Sequence, residues 1–250
     1  MKHLKLLLIL AVLIPSMCFG GVVSHQVAFV ESTPSGGCTD SNCPDATYMF
    51  SLDFDYSGDT AKACFTSCGA SKDGTQGGTA AIGSSYGYSG NGLYCDGNND
   101  YYSYVVSSED GFDPDIGTIE FWIKVPSTTG FTCLVELTDG TSSNYIAVVM
   151  RDTGQIRGYY YANSTNHTTN NSTAITDDTW ALVRYSWDVA NTRHSIQING
   201  GSWVQETDAL GSFTSSAAEV VVGNKNVAFT TNAFNIDEVV IRSGYQDDGS

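Results

Sequence analysis

The stretch Tyr145-Ile-Ala-Val-Val-Met-Arg-Asp-Thr-Gly-Gln-Ile-Arg-Gly-Tyr-Tyr-Tyr161 decides the fold. Two runs rich in β-branched and aromatic residues, 145–151 and 155–161, flank the turn-forming Asp152-Thr-Gly154, so the segment reads as a β-hairpin. Asn199-Gly200-Gly201, between runs 195–199 and 203–206, predicts a second hairpin. Outward from these, the pattern repeats from Thr47 on: short apolar runs separated by Gly, Asn, Asp and Ser, with no sustained helical period. Candidate strands include 48–55, 93–95, 101–106, 118–125, 131–137, 180–187, 219–223 and 234–242. Roughly a dozen such strands in one continuous domain predict an all-β, two-sheet antiparallel sandwich or jelly roll. Residues 21–46 and 69–92 read as loop-dominated, and the wholly polar run 163–173 reads as a surface loop. That run holds overlapping glycosylation sequons at Asn163, Asn166, Asn170 and Asn171, or is simply a polar surface segment.

The 250 residues are 41% hydrophobic and carry 11 Lys+Arg against 27 Asp+Glu, a formal charge of −16. So few bases argue against nucleic acid and against docking on anionic membrane. Neutral glycans, cationic groups or divalent metals are the partners left, although acidity also serves solubility. Lys2, His3 and Lys5 precede an apolar run at 6–14, then Pro15 and small residues up to Gly20-Gly21. This reads as a secretory signal peptide over 1–20, which implies a secreted or cell-envelope location. The run is far shorter than the roughly 20 residues of a membrane helix, and no later segment substitutes, so no membrane span is expected. The remaining chain divides into a loop-rich segment 21–46, a domain 47–243 and a short tail 244–250.

Seven cysteines become six once Cys18 leaves with the leader. An even number in an exported chain suggests disulfides, most economically Cys38–Cys43, Cys64–Cys68 and Cys95–Cys133, although six cysteines allow 15 connectivities. Zinc is the competing reading, but these spacings are not CxxC pairs and histidine is scarce.

Several local patterns resemble the laminin-G-like, concanavalin A-like lectin/glucanase jelly rolls, particularly pentraxin-related LamG modules. Phe50-Ser-Leu-Asp-Phe-Asp55 is similar to that family's opening strand. Gly90-Asn-Gly-Leu-Tyr-Cys-Asp-Gly-Asn-Asn-Asp-Tyr-Tyr102 resembles its G-x-x-L-x-F-D-G-x-x-D-Y segment, with Cys95 replacing Phe. Thr118-Ile-Glu-Phe-Trp-Ile-Lys124 matches its T-I-x-F-W-x-K strand, and 180–185, 196–200 and 236–241 follow in the family's order. The resemblance implies a concanavalin A-like jelly roll and a binding role rather than a particular reaction, since one scaffold hosts lectins, adhesion modules and glucanases.

Asp53, Asp55 and Asp59 form a cluster of hard oxygen ligands suited to Ca²⁺. Alternation in Ile236-Asp-Glu-Val-Val-Ile241 puts Asp237 in the company of Val239 and Ile241. The resemblance pairs the opening Asp with that of the last strand around a structural calcium, here Asp55 and Asp237; backbone N–H groups holding Asp237 are the alternative. An EF-hand reading of 53–64 fails because Cys64 stands where a bidentate Glu is needed. Asp96 and Asp100 read as turn formers.

Sugar binding uses aromatic rings flanked by amide and carboxylate groups. Tyr159, Tyr160 and Tyr161 must present at least one ring outward, and Trp203 follows a tight turn; Asn144 and Asn163 are the polar neighbours. Trp122, Trp180 and Trp187 read as core. Catalytic patterns are poor. Gly83-Ser-Ser-Tyr-Gly87 has no following helix, His25, His167 and His194 are isolated, and only Glu120 with Glu136 offers a glycosidase-like pair. A glycan- or glycoprotein-binding module with a structural calcium is therefore the expectation. A structural or adhesive surface or virion-associated protein is the alternative, and a glycan hydrolase the third reading.

Overall fold

The computed structural model describes residues 48–52, 54–55, 62–65, 72–97, 99–106, 112–225 and 232–247. The chain divides into two compact units, Met1–Thr33 and Pro34–Ser250, and every described residue belongs to the second. The expected leader, segment 21–46, His25, Cys18, Cys38, Cys43, Cys68, Asp53 and Asp59 lie outside the described residues.

The described residues form strands and no helix. In order these are β1 (Tyr48–Leu52), β2 (Lys62–Phe65), β3 (Lys72–Asp73), β4 (Thr75–Gly77), β5 (Ala81–Gly83), β6 (Gly92–Cys95), β7 (Tyr101–Val105) and β8 (Ile116–Lys124). They continue with β9 (Thr132–Thr138), β10 (Tyr145–Met150), β11 (Gln155–Ala162), β12 (Thr165–Ala174), β13 (Ala181–Asp188), β14 (Arg193–Ile198), β15 (Val204–Thr207), β16 (Glu219–Gly223) and β17 (Phe234–Arg242). One sheet runs β15-β14-β13-β8-β17-β1-β2-β3, with β6 also on β17 and β5 on β6; the other runs β12-β11-β10-β9-β16-β7-β4. Pairing is antiparallel, as the two-sheet jelly-roll expectation requires.

The two hairpins form as their turns dictate. Gly154 sits at φ +73° and donates its N–H to the Arg151 carbonyl at 2.9 Å, the left-handed third position of a three-residue loop. Asn199 and Gly200, both at positive φ, make the type I′ turn that matches strand twist.

Between the sheets, Phe50, Leu52, Phe121, Tyr104, Tyr160, Tyr185, Trp187 and Ile236 close a core with essentially no exposure. Burying each such side chain stabilises by about 1.5–3 kcal/mol. The polar ends are satisfied: the Trp187 indole N–H donates to the Pro114 carbonyl at 2.8 Å. Trp187 is thus core as expected, whereas Trp122 and Trp180 are only half-buried on the outer side of the ten-stranded sheet, where Tyr88 stacks on Trp122 at 3.8 Å and meets Trp180 edge-on.

Three sequence expectations need correction. The polar run 163–173 is mostly strand: after a turn at Asn163 and Ser164, both at positive φ, β12 pairs along β11 at the sheet edge. Edge strands tolerate polar residues on both faces, so composition alone mimics a loop. The segment 69–92 contains β3, β4 and β5. Finally, Cys95 and Cys133 are both free and buried. Cys95 belongs to the inter-sheet core, whereas an extra residue in β9, skipped between the pairs Val148–Val135 and Val149–Cys133, sends Leu134 inward and Cys133 to the outer face.

Gly158 faces the core against Tyr185, where an added Cβ would fall 2.1 Å from the ring. Gly158→Ala is expected to destabilise the fold by about 1–3 kcal/mol in urea unfolding, through overpacking.

Candidate functional site

The outer face of the seven-stranded sheet carries a groove of about 640 Å³ lined by β9, β10, β11, the start of β12 and the β9–β10 loop. Its cross-strand rows follow from register. One row reads Ser103, Val221, Glu136, Ala147, Tyr159, Thr168; the next reads Thr138, Tyr145, Tyr161, Asn166. Strand alternation places Tyr159 and Tyr161 in the groove and Tyr160 in the core. Tyr160 is therefore corrected from ligand contact to core residue. Tyr145 and Tyr161, directly opposite, stack at 4.8 Å with an interplanar angle of 11°. Burial, with the negative potential of Tyr161, Tyr159 and Glu136, pushes the Tyr145 hydroxyl up to about 12, so it remains a neutral donor at physiological pH. The hydroxyl of Tyr159 accepts from Arg157 at 2.9 Å, and Arg157 also donates to Asn170.

One end of the groove is a hydrogen-bonded clamp. Asn144 is buried, donates to Asp139 at 2.7 Å and Thr214 at 2.9 Å, and accepts the Asn163 N–H at 3.2 Å. Asn163 donates to the Ser212 carbonyl at 3.1 Å. These two residues build the wall and do not line the groove; Asn166 does. Trp203, half-buried at the β14–β15 hairpin, belongs to the opposite sheet. The structure thus brings Tyr159 and Tyr161 together with Tyr145, Ala147 and Asn166, which the sequence reading did not place at a ligand site, and with Glu136, which it named only as half of a glycosidase-like pair. Counting outward from the 152–154 turn places Tyr145 opposite Tyr161, so that partner was findable; Glu136 needed the β9–β10 register as well.

Asp55 and Asp237 converge on the 86–91 loop, over the outer face of the ten-stranded sheet. Asp237 Oδ2 accepts the N–H groups of Tyr88 at 2.8 Å and Ser89 at 3.0 Å, its Oδ1 that of Glu238 at 2.8 Å, and Asp55 Oδ1 that of Asn91 at 2.6 Å. Asp237 pairs with Trp122, and the bulge that follows, with Glu238 at φ +49°, lets both Ile236 and Val239 reach the core. The carboxylate is consequently buried under a loop, not beside Val239 and Ile241 as simple alternation implies. Burial pushes it up to about 7 despite three N–H bonds. No group of three or more His, Cys, Asp or Glu with metal-holding geometry occurs among the described residues.

Glu120 and Glu136 lie on outer faces of opposite sheets. Glu120 is ion-paired with Arg184 and Arg242, so the two cannot flank one glycosidic bond at the roughly 5–10 Å that hydrolysis needs. His167 and His194 are not isolated: both approach Asp208 Oδ2, at 3.6 and 3.1 Å, while His194 Nδ1 meets Thr169 at 2.8 Å and Tyr185 at 3.0 Å. Burial holds His194 below its usual range, neutral, in a polar plug between β12 and β14.

Residues 96–244, more than half of the chain, match the family model Laminin_G_3, described as the concanavalin A-like lectin/glucanases superfamily. No protein of curated function matches in sequence. Among solved structures, the binding domain of Paraclostridial Mosquitocidal Protein 1 is similar with a TM-score of 0.63 at 14% identity, over 80% of this chain and 50% of that one. The receptor binding domain of botulinum neurotoxin mosaic serotype C/D gives 0.62 at 12% identity, over 81% and 48%. The chain therefore spans about half the length of these domains. Domain 4 of AbnA, a GH43 extracellular arabinanase from Geobacillus stearothermophilus, in complex with arabinotriose, gives 0.62 at 19% identity over 80% of this chain and 93% of that one. At such identities the likeness is one of fold.

The clamp predicts a pH signature. Burial works against the charge of Asp139, but hydrogen bonds from Ser215, Thr141 and Asn144 outweigh it and hold the carboxyl down to about 2. A depressed folded value contributes stability above the unfolded value of about 3.9, lost as pH falls towards 2. The difference in urea midpoint between the parent and Asp139→Asn is expected to be present at about pH 5 and to vanish near pH 2.

Proposed function

We propose that this chain, which belongs to the concanavalin A-like lectin/glucanases superfamily, is a non-catalytic, extracytoplasmic module that binds glycan in the groove of the seven-stranded sheet. The observation that carries the reading is the cluster of Tyr145, Tyr159 and Tyr161, from two adjacent cross-strand rows, lining the groove with Thr138 and Asn166 beside them. Aromatic faces take up the apolar C–H face of a sugar, and hydroxyl and amide groups bond its rim. The likeness to a domain solved with arabinotriose supports a saccharide ligand, and the likeness to receptor-binding domains supports a glycoprotein as its bearer. A basic, then apolar, then small-residue start supports export, with Cys38, Cys43, Cys64 and Cys68 as its disulfides.

On a broad glycan array the protein is expected to bind, and Tyr159→Ala or Tyr161→Ala should weaken binding at least tenfold, about 1.4 kcal/mol. Trp203→Ala should leave it unchanged. Folded protein that binds no glycan would overturn the reading.

A structural calcium is the finer proposal. Asp55 and Asp237 would be its charged ligands, and a cation there relieves the burial cost that raises Asp237. Calcium is expected to raise Tm by about 5 °C over chelator. Asp55→Ala should abolish that rise; identical melting with and without calcium would refute it.

A further inference from the structure

The outer face of the ten-stranded sheet carries its own aromatic surface, across the sandwich from the groove. Register lays Tyr94 on β6 beside Asn235 on β17 and Lys124 on β8, and Trp180 stands just before β13, its ring centroid 5.3 Å from the Lys124 ammonium. That row crosses three strand spacings, about 14 Å. Trp122 lies two residues back along β8, on the same face. Two rings from the 86–91 loop stack on these strands: Tyr86 on Tyr94 at 5.1 Å, and Tyr88 on Trp122 at 3.8 Å with Trp180 edge-on to it at 5.8 Å. Asp237 fixes the loop by accepting the Tyr88 N–H, yet the Tyr88 ring stays 46% exposed.

Polar tips separate this surface from the core. The Trp187 indole and the Tyr160 hydroxyl donate to the Pro114 carbonyl, and the Tyr185 hydroxyl meets His194. Among the described residues, by contrast, no hydrogen-bond partner meets the hydroxyls of Tyr86, Tyr88 and Tyr94, the indole N–H groups of Trp122 and Trp180, or the Lys124 ammonium. Rings with apolar faces and unspent donors at their rims complement a sugar, which has an apolar C–H face and a hydroxyl edge. A purely apolar partner would bury those donors unpaired, at about 1–3 kcal/mol each. Asp178, bonded to the carbonyl of Val125 next to Lys124, and Asp55, bonded to Asn91 of the loop, put carboxylates on either side of the single ammonium. A polyanion therefore finds no net positive charge here, which leaves a neutral chain.

We infer that this surface is a second saccharide site, one that takes the flat face of an unbranched neutral polysaccharide. Tyr88 supplies the stacking face, while Lys124 and the indole N–H groups donate to the sugar hydroxyls. The site shares no residue with the groove and stands whether or not the groove binds glycan. With both occupied, one chain bridges two glycan chains from opposite faces of the sandwich.

The test is titration of the full chain with cellohexaose, xylohexaose and mannohexaose, read by tryptophan emission and by calorimetry. No tryptophan lines the groove, so emission separates the two faces. Expected for the parent is a saturable emission change with at least one of the three sugars. Tyr88→Ala, which keeps the backbone N–H that Asp237 accepts, should weaken that binding roughly tenfold or more. Lys124→Ala, which leaves every ring in place, should weaken it about threefold, the worth of one hydrogen bond. Tyr159→Ala should leave it unchanged. An emission change that survives both Tyr88→Ala and Lys124→Ala would overturn the inference. Binding heat that Tyr159→Ala removes, with emission unmoved in the parent, would overturn it and leave the groove standing. A parent that dimerises in sedimentation, is monomeric as Tyr88→Ala and responds to no sugar would assign the surface to a second copy and overturn it. Silence towards all three sugars in both readouts would overturn it as well, while the groove is judged separately on the glycan array.

Discussion

The buried ring of Tyr160 sets the register on which the outer face depends. It lies between the sheets without exposure, near Phe213 and the Pro114 carbonyl, on a strand whose neighbours Ile156 and Ala162 also point inward. A one-residue slip would trade these for Tyr159, Tyr161 and Arg157 and put charge and hydroxyls into the core. The core thereby dictates which tyrosines reach solvent. From there the pairing with β10 sets Tyr145 against Tyr161 and Ala147 against Tyr159, and the pairing of β10 with β9 brings Glu136 alongside. The groove is a by-product of core registration read on the other side of the same strands.

Departures from strict alternation place the remaining polar groups. The extra residue in β9 turns Cys133 away from the core that holds Cys95, which removes the geometry a disulfide needs. The bulge in β17 lifts Asp237 out beneath the 86–91 loop, where its oxygens hold Tyr88 and Ser89 and so lay the Tyr88 ring on Trp122. In both strands one added residue decides whether a side chain joins the inter-sheet core or is buried on the outer face of its sheet.

The sandwich closes its open edge with polar chemistry. β12 supplies Thr169, β14 supplies His194, and Asp208 links His194 and His167 just beyond β15. At the groove's end Asp139 and Asn144 do the same for three loops. Such clusters carry specificity of arrangement, because each buried polar atom left unpaired costs about 1–3 kcal/mol. Asn144 and Asn163, read from sequence as ligand contacts, belong to that framework.

The sequence by itself determined the strand content, both hairpin turns, the family and the fact that tyrosines from 159–161 would face outward, because these depend on local backbone chemistry and on period-two patterning. Its reading failed at β12, where an edge strand has the composition of a loop, and at Cys133 and Asp237, where a bulge breaks the period. Only the tertiary structure decided that Glu136, Tyr145, Ala147 and Asn166 share one groove with Tyr159 and Tyr161, that Trp203 stands on the other sheet, and that Glu120 and Glu136 are separated by the whole sandwich. Those facts reside in the register between strands and in which sheet each strand joins, and both are set by how side chains far apart in the chain pack into a common core.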